Sequence, residues 1–233
     1  MKILGVDTSS DICSICLLEN NITLKELNLN NGRTHSENLV PLLKELMDTC
    51  NITFKDIDLI AVNKGPGSFT GIRIGISTVK AIAEVHNIKV VGVTSLKSLT
   101  FNEASLTSPT ISLIDARNSQ VYCGVFNNDS VSEEIYLADD INEVLENIKP
   151  YVKENTIFVG NGSVLHKELI QNFFKTPIIF SSKNEQSSVS TALAGLEIFK
   201  TGEFDTADTI LPFYLRKSQA ERMKEINNNG NNK

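Results

Sequence analysis

A mixed α/β fold of two related lobes is the architecture this sequence predicts, and three observations carry the prediction. Lys2–Val6 is an apolar strand that stops at Asp7, and the chain reverses into a second apolar run, Ile12–Leu18. The same unit returns in the second half as Thr110–Ile114, Asp115 and Gln120–Phe126, so each half opens on a hairpin whose first strand ends in an aspartate. In both halves, short apolar strands then alternate with helical periodicity, the order that builds sheets covered by helices.

In the first hairpin the reversal is Asp7-Thr8-Ser9-Ser10, all turn-forming residues, and Glu19-Asn20-Asn21 turns the chain again. Thr34 or Ser36 then caps a helix whose stripe is Leu39, Leu42, Leu43 and Leu46, with Pro41 tolerable only near its first turn. Val40 and Met47 widen the apolar arc beyond one buried face, which fits a deeply packed helix and a partner-facing one equally. Leu59–Val62 is a strand, Lys64–Ser68 a Gly/Pro turn, and Phe69 to about Val85 a helix. Val90–Val93 adds a strand, and Thr94 or Ser95 caps a short helix ending before Ser108-Pro109.

The second hairpin turns through Ala116-Arg117-Asn118-Ser119, and each returning strand carries a cysteine, Cys16 or Cys123. Strand Thr156–Val159, a helix from about Val164 to Phe174, strand Pro177–Phe180 and a helix Ser188–Thr201 stopped by Gly202 complete this half. The expected organisation is a first lobe over 1–104, a second over 105–204, and a C-terminal segment, 205–226, packing back on the first. The tail 227–233 reads NNNGNNK, almost without apolar side chains, and is expected to be disordered.

At 233 residues the chain suits one large domain or two joined lobes, and 41% hydrophobic residues supply a core. Twenty-eight acids against 22 bases give a net charge of −6, so the surface as a whole does not favour a phosphate backbone. Any RNA involved is then expected to be held by a partner. No run reaches the ~20 apolar residues of a membrane span, and the N-terminus lacks the pattern of an export signal. The expected compartment is the cytoplasm, with the four cysteines as thiols. Cys13 and Cys16 spell C-x-x-C, but in an extended run residues three apart face opposite sides of a sheet.

Asp7-Thr8-Ser9-Ser10 sets a carboxylate and three hydroxyls at a strand end, where phosphate or hydrated magnesium can be held; turn formation explains the same residues. The most distinctive stretch, Asn63 to Gly75, fails both phosphate-loop patterns: Thr70 stands where the dinucleotide fingerprint needs its third glycine, and Ile72-Arg73 where a P-loop needs Lys and Ser/Thr. Gly71 and Gly75, four apart, instead allow a neighbouring helix to approach, whether internal or from another chain. Gly160 and Gly162 lie in a strand-to-helix turn whose backbone can meet a flat ligand such as adenine or simply turn. No metal site is expected, since His35 has Leu39 where a second imidazole would complete a helical pair. Hydrolytic chemistry has no support either, because neither a G-x-S-x-G elbow nor a cysteine-nucleophile signature is present.

ILGVDTSS at Ile3–Ser10, HSENLVPLL at His35–Leu43, GPGSFTGIRIG at Gly65–Gly75, IDAR at Ile114–Arg117 and PFYLR at Pro212–Arg216 occur in an order that resembles the TsaB (YeaZ) family. The resemblance implies the actin/hexokinase/Hsp70-like (ASKHA) fold and a part in making threonylcarbamoyladenosine beside the anticodon of tRNAs that read codons starting with A. It implies a non-catalytic chain that stabilises a TsaD-like catalytic subunit, a paralogue with a metal-binding H-x-x-x-H, in an assembly joined by a TsaE-like ATPase. ATP and metal would be used by those partners and not required here, and tRNA would be met only indirectly.

The resemblance also implies partner-facing helices over about His35–Met47 and Phe69–Glu84. The expected interface is His35, Leu39, Val40, Leu43 and Met47 on the first, and Phe69, Gly71, Ile72, Arg73, Gly75, Ile76 and Val79 on the second. Alone, that surface is expected to form a homodimer. Fold analogy would keep nucleotide contact at Asp7, Thr8, Ser9, Ser10, Gly160 and Gly162. The rival readings are an ATP-dependent small-molecule kinase using Asp7 and Thr8, a glycoprotease-like peptidase, and a structural homodimer unconnected with tRNA.

Overall fold

A computed structural model describes residues 1–102, 108–127 and 134–216. The first sheet has the order β3-β2-β1-β4-β5, with β1 (Lys2–Asp7), β2 (Cys13–Glu19), β3 (Ile22–Leu29), β4 (Leu59–Gly65) and β5 (Lys89–Thr94). β1 runs antiparallel to β2 and parallel to β4, with Asp7 opposite Ser14. The second sheet, β10-β9-β6-β7-β8, repeats that order with β6 (Thr110–Asp115), β7 (Gln120–Phe126), β8 (Ile135–Asp140), β9 (Thr156–Val159) and β10 (Ile178–Phe180). Two mixed five-stranded sheets of one topology, flanked by helices, are the ASKHA architecture.

On the outer face of the first sheet lie α1 (His35–Cys50) and α2 (Phe69–His86), sharing a core with Leu4, Val6, Ile60 and Val62. Thr34 caps α1 through a capping box with Glu37. Pro41 stands further into α1 than its first turn, on the exposed side of the helix. Ser68 Oγ caps α2 by accepting from the Gly71 amide at 3.2 Å.

The inner faces are covered by exchange. α3 (Ser95–Thr100) follows the first sheet yet packs Leu96 and Leu99 against Ile114, Phe126 and Val159 of the second half. α7 (Ser188–Lys200) follows the second sheet yet covers Ile3, Cys16, Leu59, Ala61 and Val91 of the first. A boundary drawn in sequence at 104 therefore does not separate the layers. Residues 205–216 return to the first sheet: Asp205 bridges Val90, Ile210 is buried in its core, and the Phe213 amide donates to Lys64 O at 2.7 Å.

The second half's remaining helices are α4 (Ile141–Ile148), α5 (Asn161–Leu165) and α6 (Lys167–Phe173). The single helix expected over 164–174 is broken at His166, whose φ of −105° and ψ of 20° leave the helical region. Part of the expected C-terminal segment, 217–226, and the tail 227–233 lie outside the described residues. Among the described residues no helix is long and apolar enough to cross a membrane.

Cys13 and Cys16 enter opposite cores, as their strand spacing predicts, and all four cysteines are free thiols. Burial pushes the Cys13 thiol up to about 11 and Cys16 to about 12, and raises Cys123 as well. A thiol reagent on the folded protein is expected to label half-buried Cys50 first and the other three only on unfolding. Early modification of Cys16, read by peptide mass spectrometry, would contradict the packing of α7 on the sheet.

Candidate functional site

Asp7 ends β1 beneath the turn and is 1% exposed. Its carboxylate accepts from the Ser9 amide at 2.9 Å and Ser9 Oγ at 2.7 Å through one oxygen. The other oxygen accepts from Asn63 Nδ2 at 2.7 Å and Thr191 Oγ1 at 3.2 Å. Burial pushes the carboxyl above its usual range, and these four donors pull it back. Asn63 continues the network, accepting from the Gly65 amide at 2.9 Å and Ser95 Oγ at 2.7 Å. Sequence reasoning missed Asn63 and Thr191; an amide at the end of the buried run Leu59–Val62 was the available signal for the first.

Thr8 is also buried, its hydroxyl donating to the Gly71 carbonyl at 2.8 Å. Ser9 and Ser10 reach the rim of a polar cleft of about 450 Å³ between the lobes, where Gly67 and Ser68 stand on one side and Asp115, Arg117 and Asn161 on the other. Gly160 has a φ of 100°, and its amide donates to Asn184 Oδ1 at 2.9 Å. A Cβ at Gly162 would lie 2.9 Å from the Leu113 carbonyl carbon, so this glycine lets α5 seat on the end of β6. Asp115, unlike Asp7, is half-exposed and accepts from the Arg117 amide at 2.9 Å. The two hairpins thus differ chemically: one carboxylate is enclosed by donors and the other faces the cleft. Among the described residues no group of His, Cys, Asp and Glu is placed to hold a metal ion.

The α1–α2 surface differs from the residue set expected for it. Leu39, Leu43, Met47, Ile72, Ile76 and Val79 are each at most 7% exposed and belong to the chain's own core. Both glycines make room for the Asp7–Ser10 turn, and Gly71 also for the first residue of α1. A Cβ on Gly71 would collide with Thr8 O and lie 2.8 Å from His35 Cδ2, and one on Gly75 would collide with Thr8 Oγ1. His35 closes the same corner, its Nε2 sitting 2.9 Å from Ser10 O.

What the two helices do present is a groove of about 460 Å³. Val40, 60% exposed, stands on its α1 side; Phe69, Arg73 and half-buried Ile74 stand on its α2 side. Leu39 forms part of its floor, and Ser36, Thr70, Ser77 and Thr78 add neutral polar groups. Of the expected set, only Val40, Phe69 and Arg73 keep substantial exposure in the groove. Ile74 was missed because the helical stripe had been drawn through its buried neighbours.

Beside the groove, residues 211–216 bring Tyr214 onto Phe69, ring centroids 4.6 Å apart and stacked. Arg73 Nε donates to Tyr214 Oη at 2.8 Å, and its Cζ lies 3.9 Å from the centre of the Phe69 ring.

The family described as TsaD, tRNA N6-adenosine threonylcarbamoyltransferase, matches residues 28–224 of this chain. A tRNA threonylcarbamoyladenosine biosynthesis protein TsaB from Bacillus subtilis (strain 168) is 29% identical over 230 residues, covering 95% of this chain and 96% of its own length. The protein of the same name from Buchnera aphidicola subsp. Schizaphis graminum (strain Sg) is 30% identical over 166 residues, covering 69% and 78%. A solved structure of a protein with similarity to peptidase YeaZ, from Pseudomonas aeruginosa, shares the fold with a TM-score of 0.76 at 24% identity, covering 92% of this chain and 99% of that one.

Proposed function

The chain belongs to the TsaD family as one of its TsaB (YeaZ) members, and from that membership we propose that it serves the biosynthesis of threonylcarbamoyladenosine in tRNA as a non-catalytic partner of a TsaD-type subunit. It binds that subunit through the α1–α2 groove and favours its active conformation, a coupling between interface and active site. The single observation that carries the reading is the groove itself, where exposed Val40 and half-buried Phe69 and Ile74 lie beside an arginine on the two helices the resemblance points to. An apolar patch of this kind is one that a partner covers.

The non-catalytic part of the reading is supported by Asp7, whose oxygens are all engaged by the chain's own donors and are closed to a magnesium phosphate. That enclosure also weighs against the kinase reading. Leu39, buried in the core, occupies the place of the second histidine of the paralogue's H-x-x-x-H. A TsaE-type ATPase joins the assembly in the cytoplasm, ATP and metal serve those partners, and tRNA reaches this chain only indirectly. Nucleotide contact at Ser9 and Ser10 on the cleft rim is not needed for this role.

The test is depletion of the protein in its host, with threonylcarbamoyladenosine measured in digested tRNA by mass spectrometry. Depletion is expected to remove the nucleoside and wild type to restore it. Val40→Glu, at an exposed position, is expected to leave the melting temperature unchanged, weaken the complex roughly 30-fold or more, and restore little. Unaltered nucleoside on depletion would end the assignment.

A further inference from the structure

Arg73 is the one charged side chain lining the α1–α2 groove, and among the described residues no carboxylate is paired with it. Its guanidinium is nevertheless held in place. Its Cζ lies over the Phe69 ring, 3.9 Å from the ring centre, Phe69 stacks on Tyr214, and Nε donates to Tyr214 Oη at 2.8 Å. The Tyr214 hydroxyl thereby occupies one donor edge. The Nη pair remains, a rigid fork whose spacing matches the two oxygens of a carboxylate. A long side chain fixed before binding loses little rotamer freedom when it is met.

We infer that the partner docked on this groove presents an aspartate or glutamate to Arg73, flanked by apolar side chains that settle on Val40 and Ile74. Tyr214 is the positioning residue that orients the fork. The inference rests on the groove being the partner site. Charge complementarity selects the occupant. In an isologous pair a second copy would offer the same groove, which sets an arginine against an arginine and contains no acid. A different chain with an acidic residue on an apolar helix satisfies both features.

The experiment is calorimetric titration of the intact protein with the purified TsaD-type subunit of the same organism over a range of NaCl concentrations. Arg73→Gln is expected to weaken binding ~10–100-fold and to flatten the salt dependence. Arg73→Lys is expected to restore the salt dependence but not the full affinity. Tyr214→Phe, which keeps the stack and removes the Nε acceptor, is expected to cost a few-fold. Melting temperatures control for folding.

If Arg73→Gln binds with wild-type affinity and salt slope while Val40→Glu fails to bind, the groove remains the site and the carboxylate contact is refuted. If both variants bind as wild type does, the groove reading falls and this inference falls with it. If the wild-type protein only self-associates, and Arg73→Gln changes that association, the occupant is a second copy and the inference is overturned.

Discussion

Asn63→Leu is expected to lower the unfolding free energy by about 4 kcal/mol, because it strands several groups in a dry interior at 1–3 kcal/mol each. Asn63 is fully buried. Its removal takes the Nδ2 donor from Asp7 and the shared acceptor from the Gly65 amide and Ser95 Oγ. For a chain of this size the melting temperature falls by roughly 8–16 °C.

The pH dependence has a definite sign. Burial already holds the Asp7 carboxyl above its usual range, and the Asn63 amide pulls it down. Without that amide the folded value climbs further. A carboxyl with a raised folded value contributes stability in full below its unfolded value of about 3.9 and loses it as pH rises through the folded value. The deficit of the variant is therefore smallest in acid and grows towards neutral pH. Urea unfolding of both proteins across that range checks it; a deficit that is constant, or larger in acid, contradicts the role assigned to Asn63.

Gly71→Ala is expected to be the most damaging single-methyl change on α2. In an exposed helix this substitution stabilises by about 1 kcal/mol. Here the new Cβ meets the Thr8 carbonyl oxygen, a backbone atom of the turn that follows β1, and also crowds His35 Cδ2. Either α2 lifts from the turn or the turn leaves the sheet, and overpacking of this kind costs about 1–3 kcal/mol, occasionally more. The sign reverses, and the melting temperature drops by several degrees. Thr70→Ala, one residue away and exposed, is the control and should change stability by less than ~0.5 kcal/mol. Equal melting temperatures for the two variants would mean that α2 does not rest on the Asp7–Ser10 turn.

The hairpins and their repetition were legible because strands buried on one or both faces write long apolar runs ended by turn residues, and Asp7 and Asp115 mark both ends alike. β3 was not legible. Its sequence ITLKELNL lies at a sheet edge with Ile22 and Leu24 largely exposed, and only Leu27 and Leu29 turn towards the core, too short an alternation to mark a strand. β8 and α4 escaped as well, although Val144, Leu145 and Ile148 are buried at helical spacing and were the available signal.

The candidate site was legible as a pair of helices but not as a surface. The wide apolar arc of α1 arises because Leu39, Leu43 and Met47 meet the chain's own core, leaving Val40 outside. Periodicity tells that a helix buries a face and not which neighbour covers it. Which carboxylate Asn63 would serve, and that Thr191 would join it, could not be foreseen for a related reason: the two stand 56 and 184 positions from Asp7 in sequence and meet it only through the assembled fold.

The exchange of α3 and α7 between the sheets also governs the order in which the chain can complete itself on the ribosome. The side of the first sheet bearing Ile3, Cys16, Leu59 and Val91 is finished early, yet its cover is α7, near the far end of the chain. At ~5–20 residues per second, that apolar sheet face stays uncovered for on the order of 10 seconds while the second half is synthesised. The nascent first lobe is therefore exposed to chaperones, or to pairing with a neighbouring nascent chain, until Ser188–Lys200 emerges and seals it.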